Sequence, residues 1–242
     1  SFTLSGTGAG SLDLTATGNS SASGNLGLVG TTNTWTVNPG LTMDVSGAIS
    51  GTSAAITKEG TGTLNLTGAN TYTGTTTVNA GTLSLATGSS HSGTGAYTVE
   101  GGILKIATGV DLSAHAMTIG QGGVVSPGNS PGTASTGAQT WEDGGSYLWE
   151  INDSDGSKGL SLGGTNGWDW LDIDGDLNLA SLSAGGFTID IDSLNSSDLT
   201  GTADGFDYSG LAYGDAYGTT FIIATADTIT DFEAGDFILD DS

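Results

Sequence analysis

The chain contains no cysteine and no arginine, and only three lysines (Lys58, Lys105, Lys158) and three prolines among 242 residues. The missing cysteine excludes disulfides and thiol chemistry without fixing a compartment. Three lysines against 26 acidic residues give a net charge of −23. Such a chain repels phosphate backbones and anionic lipid, so neither nucleic-acid binding nor direct membrane insertion is expected. It is expected to stay soluble through self-repulsion and to attract divalent cations, and its acidity suits a salt-rich medium, where that repulsion is screened. No apolar run approaches the ~18 residues of a membrane helix, and no basic-then-apolar leader opens the sequence. Beginning at Ser1 in already patterned sequence suggests a mature or trimmed product. Nor is there a window with apolar residues at i, i+3, i+4 and i+7, which leaves little room for helix.

What is present is glycine (43 residues), abundant serine and threonine, and 36% apolar residues. The apolar residues alternate regularly, which argues against a disordered linker. Between Gly62 and Leu85 the phrase Gly62-Thr63-Leu64-Asn65-Leu66 returns nineteen residues later as Gly81-Thr82-Leu83-Ser84-Leu85. Related glycine-led phrases start at Gly10, Gly40, Gly102 and Gly123. From Gly40 onward each step is about one rung of a β-solenoid, because strands this short bury nothing until neighbouring copies stack on them. The interval from Gly10 to Gly40, which holds Trp35, reads as a double step or an insertion. In Ser126-Pro127-Gly128-Asn129-Ser130-Pro131-Gly132, proline cannot donate to a ladder, so a turn or rung edge is expected.

Beyond that point the composition shifts. Residues 1–140 carry five acids and two lysines, whereas 141–242 carry 21 acids and one lysine. Four of the five tryptophans, Trp141, Trp149, Trp168 and Trp170, also lie in the second part. A soft boundary near residue 140 therefore divides a solenoid repeat region, 1–140, from an acidic, aromatic-richer β region, 141–242. In Leu171-Asp172-Ile173-Asp174 and Phe187-Thr188-Ile189-Asp190-Ile191-Asp192 the alternation persists, with apolar side chains on one face and carboxylates on the other. The second part is expected to be final rungs or a cap.

The stretch from Gly60 to Leu83, GTGTLNLTGANTYTGTTTVNAGTL, resembles the autotransporter-associated β-strand repeat of bacterial passenger domains. Ser126–Gly132 is similar to a motif that often follows such repeats. Gly167-Trp168-Asp169-Trp170-Leu171-Asp172-Ile173-Asp174-Gly175 resembles the C-terminal portion of repeat proteins carrying a PEP-CTERM sorting tail. The likeness is strong over 56–133, suggestive over 139–240 and weak before 40; neither a terminal Pro-Glu-Pro segment nor a barrel translocator is present in the sequence. The resemblance implies a right-handed parallel β-helix, export, and an extracellular or cell-surface place as an adhesin, spacer or matrix component without catalytic activity or a required cofactor.

Several residues compete for a more specific role. Asp169, Asp172, Asp174 and Asp176 are the candidate metal ligands, with Ca²⁺ as the ion. Residues two apart on a strand stand ~6.5–7 Å apart, so a neighbouring rung must complete a shell of six to eight oxygens. A solvated acidic face is the favoured alternative, because calcium-binding β-rolls repeat their motif and Gly163–Asp169 resembles it only once. Asn152–Ser157 has the flavour of an EF-hand loop, but Ile151 and Leu162 fall where ligands belong, so a polar turn is preferred. Neighbouring carboxylates also admit glycoside hydrolysis, a remote reading that rests on fold analogy alone. His91 and His115 read as exposed loop residues. Trp168 and Trp170 suit either a sugar ring or burial. Lys58 or Lys105 beside an asparagine would permit an isopeptide crosslink. Open sheet edges at the solenoid ends make end-to-end association into a homo-oligomer or filament an expectation, and a glycan or matrix is the other expected partner.

Overall fold

A computed structural model describes residues 2–5, 12–128, 131–152, 157–158, 167–194 and 222–240. Its strands stack in parallel into a β-solenoid with two large faces, sheets of 12 and 11 strands, and a narrower third face of two-residue strands. The first face runs through Asp13–Ala16, Thr32–Val37, Ala55–Glu59, Thr76–Val78, Tyr97–Val99, Met117–Ile119, Thr133–Trp141, Trp170–Asn178 and Ala224–Thr225. The second runs through Ser20–Ala22, Thr42–Val45, Thr63–Leu66, Thr82–Leu85, Ile103–Ile106, Val124–Pro127, Ser146–Ile151, Phe187–Ser193 and Phe237–Asp240. At the first turn, Phe2–Ser5 pairs antiparallel with Asp13–Ala16.

The repeated Leu-x-Leu phrase forms the second face. Met43, Leu64, Leu83, Leu104, Val125, Tyr147 and Ile189 follow one another in register, one per turn. Their alternation puts every second residue inside, and this column is buried from Met43 to Ile189. On the first face the matching column is Leu14, Trp35, Lys58, Val78, Val99, Ile119 and Trp141. Outward positions are small and polar, and they bond along the stack: Asn65 donates to Asp44 at 2.7 Å and Asn79 to Glu59 at 2.7 Å.

The irregular interval at the start has a simple cause. Leu14 belongs to the first face, in register with Trp35, whereas the strand after Gly40 belongs to the second. The two glycine-led phrases therefore lie on different faces, and their spacing is not a whole number of turns. Pro127 ends a strand and Gly128 takes φ +72°, as the expected turn or rung edge requires, while Asn129 and Ser130 lie outside the described residues. The next strand, Thr133–Trp141, is long because it serves two faces, pairing with Asp111–Leu112 of the third and Met117–Ile119 of the first. Trp170–Asn178 lies against it over most of its length, with a register shift at Gly137/Gln139 and Gly175 at φ +130° where the strand bends. Asp172 and Asp174 face outward there while Leu171, Ile173 and Leu177 point in.

Small residues set how closely successive corners approach. A Cβ on Gly95 would overlap the carbonyl oxygen of Gly74, and one on Gly93 that of Tyr72. Among the described residues, no helix is long and apolar enough to cross a membrane.

Candidate functional site

Among the described residues, three places gather candidate side chains: a polar corner inside the solenoid, an acidic groove outside it, and the apolar last turn. The corner is built where the third face returns to the first. Asn70 and His91 occupy the same position in successive turns, in register and pointing inward. His91 is 7% exposed and His115 3%, so neither is the exposed loop histidine that the sequence reading expected. The signal was the interval from Asn70 to His91, which equals one turn and so carries the inward position from one residue to the other. Around them, Tyr72 Oη pairs with Thr76 Oγ1 at 2.7 Å, Tyr97 Oη with His91 Nδ1 at 3.1 Å, and Ser89 Oγ with His91 Nε2 at 3.2 Å. The next corner inserts His115, whose Nδ1 lies 2.6 Å from the Gly95 carbonyl and whose Nε2 lies 2.8 Å from the His91 carbonyl. These side chains enclose a cavity of about 10 Å³, close to the space of one water.

Burial, reinforced by the charge of His115, pulls His91 down to about 4. Burial likewise raises the phenols of Tyr72 and Tyr97. Serine, histidine and tyrosine in line resemble a nucleophile with its base, but a base held near 4 has little drive to take a proton at neutral pH. Ser89 is itself buried. The chemistry available to this corner is mutual satisfaction of buried polar groups.

Lys58 is the second buried exception. It takes an inward position between Trp35 and Val78, and its Nζ reaches the corner to donate to the carbonyls of Glu59 (2.9 Å), Gly60 (2.7 Å) and Ala80 (3.0 Å). Burial lowers it to about 8 against the opposing charge of Glu59, so the ammonium that supplies three N–H donors prevails at neutral pH. The crosslink reading gains nothing here, since these three partners are carbonyls. Lys105 stands in the ladder between Ser84 and Ser126.

The structure separates the four candidate metal ligands. Asp169 is fully buried and accepts the Gly132 amide on Oδ1 at 2.6 Å and the Glu150 amide on Oδ2 at 3.0 Å. Burial and the nearby Glu150 push its carboxyl well above the usual range, against the two amide donors that favour the ionised form. It is a tie between strands, facing away from solvent. Asp172 and Asp174 instead line an outer groove of about 370 Å³ with Asp111, Ser113, Ser135 and Asp227. Asp172 accepts from the Thr225 hydroxyl at 3.0 Å, and Asp176 is exposed on the far side of the bend. Among the described residues, no three histidine, aspartate or glutamate side chains come together closely enough to hold a metal ion. Trp168 and Trp170 are half-buried, their indole N–H groups donating to the Ile222 carbonyl and the Thr225 hydroxyl, both at 3.1 Å. Asn152 is buried and accepts the Gly167 amide at 2.7 Å, while Asp153–Gly156 and Gly163–Asn166 lie outside the described residues.

In the last turns the core becomes aromatic. Trp141 stacks on Phe187 with centroids 4.3 Å apart, and Phe237 meets both edge-on. Trp141, Leu177, Ile189, Phe232, Phe237 and Leu239 surround a hollow of about 490 Å³ that opens outward, with Phe232 59% and Leu239 69% exposed.

No curated protein and no solved structure matches the chain. Residues 56–85, which run from the strand around Lys58 to the end of the second Leu-x-Leu phrase, match the family model of the passenger-associated-transport-repeat. Within its parallel β-solenoid the chain thus carries a segment similar to this passenger-associated repeat.

Proposed function

We propose that the chain is a non-catalytic structural passenger, secreted or displayed at the bacterial surface as an adhesin, spacer or matrix component. One observation carries this reading: the parallel ladder continues turn upon turn from Asp13 to Asp240, and the buried polar side chains at its corners are tied to one another or to backbone. A solenoid of this kind presents surface and length, which is what a spacer or an adhesive rod needs. The passenger-associated repeat supports the same reading. The test is antibody labelling and protease shaving of intact cells that express the native protein. Labelling without lysis, in the medium or on cells, is the expected result; labelling only after lysis overturns the placement. Electron microscopy over a range of protein concentrations tests end-to-end association, which would bury the exposed Phe232 and Leu239. Filaments support it, and dispersed short rods remove it.

A second reading, a binding module for Ca²⁺ or a glycan, is favoured by the convergence of Asp111, Asp172, Asp174 and Asp227 on one groove. Because no close trio of carboxylates forms there, an ion would keep much of its water and bind weakly. Millimolar Ca²⁺ is expected to raise Tm saturably, and Asp172→Asn to abolish the effect. Unchanged melting removes the metal version, and a blank glycan array removes the other.

A further inference from the structure

The seat of His115 is unusual because both of its ring nitrogens face acceptors. Nδ1 lies 2.6 Å from the Gly95 carbonyl oxygen and Nε2 lies 2.8 Å from that of His91, and the ring is 3% exposed. A neutral imidazole has one N–H, so one contact would oppose a nitrogen lone pair to a carbonyl oxygen. Only the imidazolium supplies a donor to each. The two carbonyls belong to the preceding turn, on either side of the bend made by Ser92–Gly95, whereas His115 sits in the equivalent bend one turn on. Its backbone is held from the other side, where its carbonyl accepts the Gly137 amide at 3.1 Å.

We propose that His115 is carried as a buried imidazolium whose two ring N–H groups latch two successive corners of the solenoid and hold the wall of the adjoining groove. That groove, about 450 Å³, is lined by Ser89, Ser90, Ser92, Gly93, Asp111 and Ser113 among others, so the latch lies directly beneath an outer surface. The surroundings are arranged for one positive charge. His91, from the preceding turn, stays neutral because burial and the His115 charge both oppose its protonation. Asp111, from the strand just before His115, is held below the usual carboxylate range by the Ser113 amide and hydroxyl and, less, by His115 itself. The Tyr97 ring presents itself edge-on at 5.5 Å, and Tyr72 lies beyond it; burial keeps both phenols protonated. The following turn contributes Thr136 and Gln139, which carry no charge. Hydrogen bonds from a charged donor to buried carbonyls are stronger than neutral ones, so the ring proton and the corner contacts stand or fall together.

Two measurements on the full chain test this. Nitrogen NMR at about pH 5.5 distinguishes the rings, because His91 titrates near 4. The expected result is two protonated nitrogens on His115 and one on His91; an unprotonated ring nitrogen on His115 at that pH overturns the proposal. Hydrogen exchange at about pH 5.5 then reads the latch. Protection over residues 89–98 and 111–118 is expected to fall at least tenfold in His115→Ala, which has no side-chain donor, while residues 63–66 and 82–85 hold theirs. In His115→Gln, whose side-chain amide has two N–H donors, most of that selective fall should vanish. Equal protection in His115→Ala and the natural chain, or a loss spread evenly over both faces, would count against a latch at His115. If the variants do not fold, the NMR result on the natural chain decides alone.

Discussion

Acidification should weaken this solenoid at one identifiable residue. His91 is drawn down from 6.5 to about 4 by burial first and by the His115 charge second. The native state therefore favours the neutral ring. Above pH 6.5 neither state binds a proton at this site and its contribution to stability is fully present. As pH falls from 6.5 towards 4 the unfolded chain takes up a proton that the native one refuses, and stability is lost; below 4 the loss levels off. At about 1.36 kcal/mol per pK unit, the drop between pH 7 and pH 4.5 comes to about 2 kcal/mol, an order-of-magnitude figure. Many carboxylates also begin to titrate in that range, so the informative quantity is a difference. Asn70 holds the same ladder position one turn earlier, accepting the Ile49 amide and donating to the Gly68 carbonyl. His91→Asn therefore puts a side chain the corner already accommodates in place of the titratable one. Urea unfolding followed by tryptophan fluorescence, at constant ionic strength, should show the natural chain losing about 2 kcal/mol more than the variant on going from pH 7 to pH 4.5. Parallel pH dependences in the two proteins would refute the assignment of the buried, neutral ring.

Other consequences are as direct. Asp169→Ala removes the acceptor of two buried amides, Gly132 and Glu150, and should cost about 2–4 kcal/mol in urea unfolding, with Asp169→Asn retaining part of it because one acceptor oxygen survives. Gly95→Ala forces a methyl into the Gly74 carbonyl and should lower stability by about 1–3 kcal/mol, whereas the same change at Gly88, where nothing lies within 4 Å, meets no such clash and costs only the strain of its φ of +85°. Leu104→Ala, in the middle of the second-face column, should cost about 2–5 kcal/mol and raise hydrogen exchange in the adjoining turns first, since each turn contacts chiefly its neighbours.

The sequence alone determined the class of fold, because its signal is local. A period of about twenty residues, Leu at alternate positions and glycine at each strand entry admit stacked parallel turns and little else, as the Met43-to-Ile189 column bears out. The alternation in Leu171-Asp172-Ile173-Asp174 likewise placed its leucine and isoleucine inside and those two aspartates outside. What the sequence could not decide was which face each strand joins and which polar residue goes inside. Gly10 and Gly40 open similar phrases, yet one feeds the first face and the other the second, because pairing partners are chosen by the whole stack and not by the phrase. Asp169 and Asp172 look alike in a run of carboxylates. The offset of three residues and the strand break before Trp170 bury one beneath two amides and leave the other beside Thr225. His91, His115 and Lys58 are polar residues that local chemistry assigns to the surface. Only the tertiary structure brings in the carbonyls and hydroxyls that make their burial tolerable; both partners of His115 and the Ala80 partner of Lys58 lie about one turn away along the chain, whereas His91 meets Ser89 and Tyr97 within its own turn.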